Sequence, residues 1–132
     1  MPPSISVLCV DDSADIRDLY RQLIDAEPDL RCVGTLEGAE GLVEEVVRTE
    51  PDVVLLDLTM PGPDPLSAVE ELSRRRPETR VLLFSGYDDA ETADAALDAG
   101  AWGLVSKHGD SDRVLAAIRA VAGGEIVLSH RG

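Results

Sequence analysis

The sequence predicts an α/β fold built on a parallel sheet, and three observations carry that reading. Short apolar runs rich in Val and Leu recur at residues 5–10, 30–36, 52–57, 80–85 and 101–106. Each is followed by a segment of helical periodicity, the alternation that defines an α/β architecture. The runs are continuously apolar rather than alternating, as strands buried on both faces are in parallel sheets. Five βα units therefore account for residues 5–124, and right-handed crossovers place the strands in one sheet with helices on both faces.

The first strand, Ile5-Ser6-Val7-Leu8-Cys9-Val10, ends in the acidic pair Asp11-Asp12. In the helix that follows, Ile16, Leu19, Tyr20, Leu23 and Ile24 share one face of a 3.6-residue period, and Pro28 closes it. The second helix turns Leu42, Val43, Val46 and Val47 inward and stops before Pro51. The third apolar run, Val53-Val54-Leu55-Leu56, ends in Asp57, with Leu58-Thr59-Met60-Pro61 behind it. Prolines fix φ, so Pro61-Gly62-Pro63-Asp64-Pro65 should be stiff and shift the start of the third helix, which carries Leu66, Val69 and Leu72 and stops before Pro77.

The fourth strand ends in Phe84-Ser85-Gly86, and residues 90–99 form a helix whose inward face is mostly alanine, so it should be weakly anchored. The fifth strand ends in Ser106-Lys107-His108. Alternation points Trp102, the sole tryptophan, away from the core, either as a contact surface or packed over the fourth or fifth helix. The last helix turns Val114, Leu115, Ile118, Val121 and Ala122 inward, ends at Gly123-Gly124, and leaves a tail at 125–132.

A chain of 132 residues fits one domain and can bury a core without disulfides or a structural metal. No stretch approaches the roughly 18 apolar residues of a membrane span, and Met1-Pro2-Pro3-Ser4 does not open a signal peptide, so a cytoplasmic protein without membrane contact is expected. A net charge of −14 would repel a phosphate backbone, which excludes nucleic-acid contact by this chain itself. Cys9 and Cys32 sit in apolar segments without metal-ligand spacing and read as free thiols, a disulfide being the minor alternative. His108 and His130 have no partners at ligand spacing, which argues against zinc.

In open α/β folds the crevice beyond the carboxyl ends of the strands is where ligands bind. Asp11, Asp12, Asp57, Ser85 and Lys107 all converge on that edge. Carboxylates alone suit a hard divalent cation such as Mg²⁺, and the added hydroxyl and ammonium point to a phosphoryl group. A carboxylate attacking a phosphoryl donor approaches an anion, so a cation and a lysine are needed to offset the charge. Taken singly each residue has a plainer reading. Asp12 with Ser13 can cap the first helix, Asp57 can be a solvated strand terminus, Ser85-Gly86 can be turn chemistry, and Lys107 can neutralise surplus acid. The conjunction at independent strand ends favours the site.

These residues make the chain resemble a response-regulator receiver domain over residues 5–124. The segments Ala99-Gly100-Ala101-Trp102-Gly103-Leu104-Val105-Ser106-Lys107 and Leu115-Ala116-Ala117-Ile118-Arg119-Ala120-Val121-Ala122-Gly123-Gly124-Glu125 are similar to the NarL/FixJ branch. The resemblance implies a flavodoxin-like (βα)5 fold, a doubly wound five-stranded sheet of order 2-1-3-4-5. It implies that Asp57 is the phosphoacceptor, that Ser85 and Lys107 bind the phosphoryl group, and that Mg²⁺ or Mn²⁺ is held by Asp11, Asp12, Asp57 and the backbone carbonyl of Thr59. A sensor histidine kinase as donor, a homodimer on phosphorylation and control of transcription follow from the same likeness. Catalysis would be confined to the chain's own phosphorylation and dephosphorylation. Members of the branch usually carry a C-terminal helix-turn-helix domain, which is not in this sequence, so a stand-alone receiver and a piece cut at the linker both fit.

Three positions depart from the family pattern. Leu104 stands where an aromatic ring usually reports the switch, and Tyr87, two residues beyond Ser85, is a candidate substitute. His108 replaces a proline whose preceding bond is often cis, so a trans bond is expected. Pro65 takes a position commonly held by glycine. Two other functions are weighed against the phosphoacceptor: an interaction module that keeps the fold and works without phosphate, and a small aspartate-dependent phosphatase. The latter needs a second acid two residues after its nucleophile, where this chain has Thr59.

Overall fold

The apolar runs become strands because side chains on both of their faces find helices to pack against. A computed structural model describes residues 4–86 and 90–128. It contains strands β1 (Ile5–Val10), β2 (Leu30–Leu36), β3 (Val53–Asp57), β4 (Arg80–Ser85), β5 (Gly103–Ser106) and β6 (Val127–Leu128). The helices are α1 (Ala14–Asp25), α2 (Leu42–Thr49), α3 (Pro65–Arg75), α4 (Ala90–Ala99) and α5 (Ser111–Ala122). The strands form one parallel sheet of order β2-β1-β3-β4-β5-β6.

The two-residue period of the strands divides the core in two. Leu8, Val10, Val54, Leu56, Val81, Leu83 and Leu104 pack against α2, α3 and α4. Val7, Cys9, Val53, Leu55, Leu82, Phe84 and Val105 pack against α1 and α5. A fully buried Leu or Ile contributes about 1.5–3 kcal/mol, whereas each alanine methyl contributes about 0.8. The inward residues of α4 are Ala93, Ala96 and Ala99, so this helix is the least firmly held of the five, as its composition predicts.

Helix ends follow local chemistry. Ser13 caps α1 by accepting from the Ile16 N–H, and Asp110 caps α5 by accepting from Asp112. Pro65 occupies the first position of α3, with Asp64 as N-cap accepting from the Leu66 N–H at 3.1 Å, so the proline-rich segment starts this helix abruptly.

Two residues of the tail expected at 125–132 join the sheet. Val127 and Leu128 pair with Gly103 and Leu104 and add a sixth strand to the expected five. Two residues are too few for periodicity to reveal. The return is set by tertiary contacts: Arg80 Nη1 donates to the carbonyls of Val121 and Ala122, and the Val127 N–H donates to the Trp102 carbonyl at 3.1 Å. Trp102 itself is half-buried against the α1/α5 core with the Arg80 guanidinium 4.5 Å over its ring, so it packs rather than forming a free surface.

Other boundaries and faces also differ from expectation. β5 begins at Gly103 rather than 101. Leu19 and Val47 are 46% and 47% exposed, because α1 and α2 bury only a narrow stripe against the sheet and these residues lie at its flank. β2 is an edge strand and is only partly covered. Cys9 is buried and Cys32 half-buried, both as free thiols. No peptide bond is cis among the described residues, as expected at His108.

Gly103 allows the sixth strand to approach. A Cβ there would stand 2.7 Å from the Val127 carbonyl oxygen and 2.8 Å from Leu82 Cδ1. Gly103→Ala should therefore destabilise the fold by about 1–3 kcal/mol, read as a lowered urea midpoint at unchanged slope. An unaltered midpoint would show that β6 is not packed there.

Candidate active site

Strand register assembles the site. Asp57 pairs with Phe84, and Ser85, one residue further along β4, pairs with Ser106. The Leu58 N–H donates to the Phe84 carbonyl at 3.0 Å, and the Lys107 N–H donates to the Ser85 carbonyl at 2.8 Å. Ladder bonds thus continue just past the strands and set Asp57, Ser85 and Lys107 side by side. Asp57 and Ser85 are wholly buried.

Asp11 extends β1, with its N–H donating to the Leu36 carbonyl at 3.0 Å. One of its oxygens, Oδ1, accepts from the Ser13 N–H at 2.9 Å, and the Arg17 guanidinium donates to its carbonyl at 2.8 Å. Asp11 is 3% exposed, while Asp12 faces solvent. Asp57 is anchored in the same manner: Oδ1 accepts from the Thr59 N–H at 3.0 Å and from Thr59 Oγ1 at 3.2 Å. In each acid one oxygen is fixed by the following turn and the other is left to face inward.

Those inward oxygens meet the ammonium. Lys107 Nζ lies 3.1 Å from Asp11 Oδ2 and 3.1 Å from Asp57 Oδ2. These are ion pairs without hydrogen-bond alignment, so both Oδ2 atoms are buried with no hydrogen-bond donor. The same ammonium stands 5.3 Å over the Phe84 ring, which meets Tyr20 edge-on at 5.2 Å. Aromatic carbon therefore packs beside the lysine ammonium.

Charge is unbalanced here, three carboxylates against one ammonium. Burial pushes the Asp57 carboxyl above its ordinary range and the Asp11 charge adds to that, although the Thr59 N–H and Lys107 pull the other way. Burial alone would lower Lys107, but its contacts with Asp57 and Asp11 outweigh this and hold the ammonium more firmly protonated than usual.

Ligand oxygens of Asp11, Asp12 and Asp57 all lie within 4.8 Å of one another. This is the one such group of potential metal-ligating side chains among the described residues. Hard oxygen donors, two of them buried without hydrogen bonds, fit Mg²⁺ or Mn²⁺. The structure thus brings together Asp11, Asp12, Asp57 and Lys107, with Ser85 on the adjoining strand and Thr59 holding Asp57. Leu104 is fully buried on β5, three residues before Lys107, in the same core cluster as the alanines of α4. Tyr87 lies outside the described residues. His108 is exposed, its N–H donating to Ser106 Oγ at 3.0 Å and its imidazole near Gly86. Arg17 and Phe84 escaped the sequence reading. Their roles depend on contacts across elements, for which the sequence carries no local signal.

A family model described as the response regulator receiver domain matches residues 7–119. The nitrate/nitrite response regulator protein NarL of Escherichia coli strain K12 is 34% identical over 125 residues, covering 95% of this chain and 58% of its own length. The transcriptional regulatory protein DegU of Brevibacillus brevis is 32% identical over 120 residues, covering 91% of this chain and 51% of its own length. The chain thus spans little more than half of these curated relatives. Among solved structures, a two-component response regulator of the LuxR family from Aurantimonas sp. SI85-9A1 superimposes with a TM-score of 0.90 at 31% identity, covering 96% of this chain and 90% of that one.

The raised Asp57 carboxyl has a consequence for stability. A folded-state pKa above the unfolded value means that ionised Asp57 weakens the fold at neutral pH, and that the penalty fades as pH falls through the folded value. In metal-free buffer at pH 7, Asp57→Asn should raise the melting temperature. The gain should shrink on acidification. A variant that melts lower at pH 7 would mean that the Lys107 contact outweighs burial and repulsion.

Proposed function

The chain belongs to the response regulator receiver domain family, and on that premise we propose that Asp57 accepts a phosphoryl group from a sensor histidine kinase. The observation that carries the proposal is the position of Lys107 Nζ, 3.1 Å from a buried oxygen of Asp57 whose sister oxygen is held by Thr59. One oxygen is immobilised and the other is presented with a counter-charge beside it. The unprotonated carboxylate is the nucleophile. Its oxygen forms the new bond to phosphorus, the phosphorus–nitrogen bond of the donor phosphohistidine breaks, and the departing imidazole takes up a proton.

Each neighbour has a part in that transfer. Lys107 offsets charge on the transferring oxygens, and the Ser85 hydroxyl accompanies one of them. Asp11, Asp12, Asp57 and the Thr59 carbonyl would hold Mg²⁺ or Mn²⁺. Bound there, the ion supplies the positive charge that three carboxylates and an incoming phosphoryl group otherwise lack. Arg17 and the Ser13 N–H keep Asp11 in place.

The response we assign to the phosphorylated state is a shift of the Ser85 loop and of α4, whose alanine face is the easiest of the five to displace. Ser85, Leu104 and Tyr87 are the switch candidates. Leu104, fully buried toward α4, would transmit the change by translation rather than by ring rotation. For the output we propose control of transcription by a phosphorylation-dependent homodimer in the cytoplasm, through a DNA-binding domain outside these residues. A surface with a net charge of −14 leaves DNA contact to that other domain. Leu104 also favours a second reading, an interaction module indifferent to phosphate. It predicts equal partner affinity for the wild type and Asp57→Ala.

Incubation with acetyl phosphate and Mg²⁺, followed by intact mass, tests the first reading. The wild type should gain one phosphoryl group, EDTA should abolish the gain, and Asp57→Asn should show none. Lys107→Ala should slow transfer by about 10²-fold. An adduct that persists in Asp57→Asn would sink the assignment.

A further inference from the structure

Lys107 is the one lysine of the chain and Phe84 its one phenylalanine, and the two side chains meet. The ammonium stands over the ring 5.3 Å from its centroid, within the range at which the negative π face attracts a cation. Its other two neighbours are the Oδ2 atoms of Asp11 and Asp57, at 3.1 Å each. Those buried oxygens have no hydrogen-bond donor and are the ones open to a divalent cation or an incoming phosphoryl group. Both carboxylate contacts of the lysine therefore face competition, whereas the ring is a contact for which neither group competes.

The ring itself is firmly placed. Phe84 pairs with Asp57 on β3 and with Val105 on β5, and its carbonyl accepts from the Leu58 N–H at 3.0 Å. Its side chain meets Tyr20 of α1 edge to face, with centroids 5.2 Å apart and the planes at 75°, and both residues are buried. The void beside the two rings, lined by Asp11, Arg17 and Leu55 among others, measures about 10 Å³. Such a space holds one water at most, so the ring has little room to swing aside. A cation–π contact also strengthens as water is withdrawn from it.

We propose that Phe84 is a positioning residue for phosphoryl transfer: its ring face, braced by Tyr20, holds the Lys107 ammonium beside the reacting oxygen of Asp57. The inference rests on the assignment of Asp57 as phosphoacceptor. Lys107 offsets charge that develops during transfer, and that help is greatest when the cation is already in place rather than drawn in as the bond forms. A flexible four-carbon stem does not fix the ammonium by itself. Phe84 acts through the lysine, so its contribution depends on the charge of the ring face and not only on the volume of the ring.

The single phenylalanine makes the test clean. Expression in a phenylalanine auxotroph replaces Phe84 alone with mono-, di- or trifluorophenylalanine, which withdraw charge from the ring face at nearly constant shape. The 132-residue protein is incubated with acetyl phosphate and Mg²⁺, and the rate of adduct formation is followed by intact mass. The rate should fall stepwise along the series, by about three- to tenfold at the trifluoro ring. In Lys107→Ala the same series should run level, because no cation is left for the ring to hold. Level rates in the Lys107 protein, or an equal fall in Lys107→Ala, would overturn the inference and leave the Asp57 assignment standing on the adduct itself. No adduct on the unsubstituted protein would overturn both.

Discussion

One lysine stands between two buried carboxylates, and the site depends on that balance. Asp11 and Asp57 leave their strands pointing inward at the edge of the sheet, where water is largely excluded. Carboxylates this close would repel one another strongly without a cation between them. Lys107, delivered by the last long strand, is 3.1 Å from each. Phe84 beside it and the turns at Ser13 and Thr59 help keep the three groups from relaxing apart. Even so one ammonium does not neutralise three acids, and the remaining negative charge makes this edge a place for a divalent cation.

Function and fold meet in the parallel register. Because all the long strands run one way, their carboxyl ends lie along one edge, and residues distant in sequence become neighbours there. Ladder hydrogen bonds extend past the strands at Leu58 and Lys107, so the reactive groups sit on nearly rigid backbone. α4, by contrast, is held by alanines. A rigid acidic edge thus lies in the same fold as a weakly packed helix.

Much of this was legible along the chain. The five long strands and five helices were readable because parallel strands buried on both faces leave unbroken Val and Leu runs, and because Pro51, Pro77 and Gly123 punctuate the helices. Asp11, Asp12, Asp57, Ser85 and Lys107 were readable because each directly ends or follows such a run. Leu19 and Val47 were misread, since periodicity marks the centre of a buried stripe and not its width. β6 was missed because two residues have no period.

The sequence by itself determined which residues reach the acidic edge and how many βα units carry them there, because burial on both faces writes itself as continuous hydrophobicity. Only the tertiary structure decided which oxygen of each acid is tethered and which meets Lys107, since that follows from the turns and from a side chain fifty residues beyond Asp57. It also decided that Trp102 is covered by Arg80 and that Val127 and Leu128 return to Gly103 and Leu104. Those are contacts between elements, and pairing across elements leaves no local trace in composition or period.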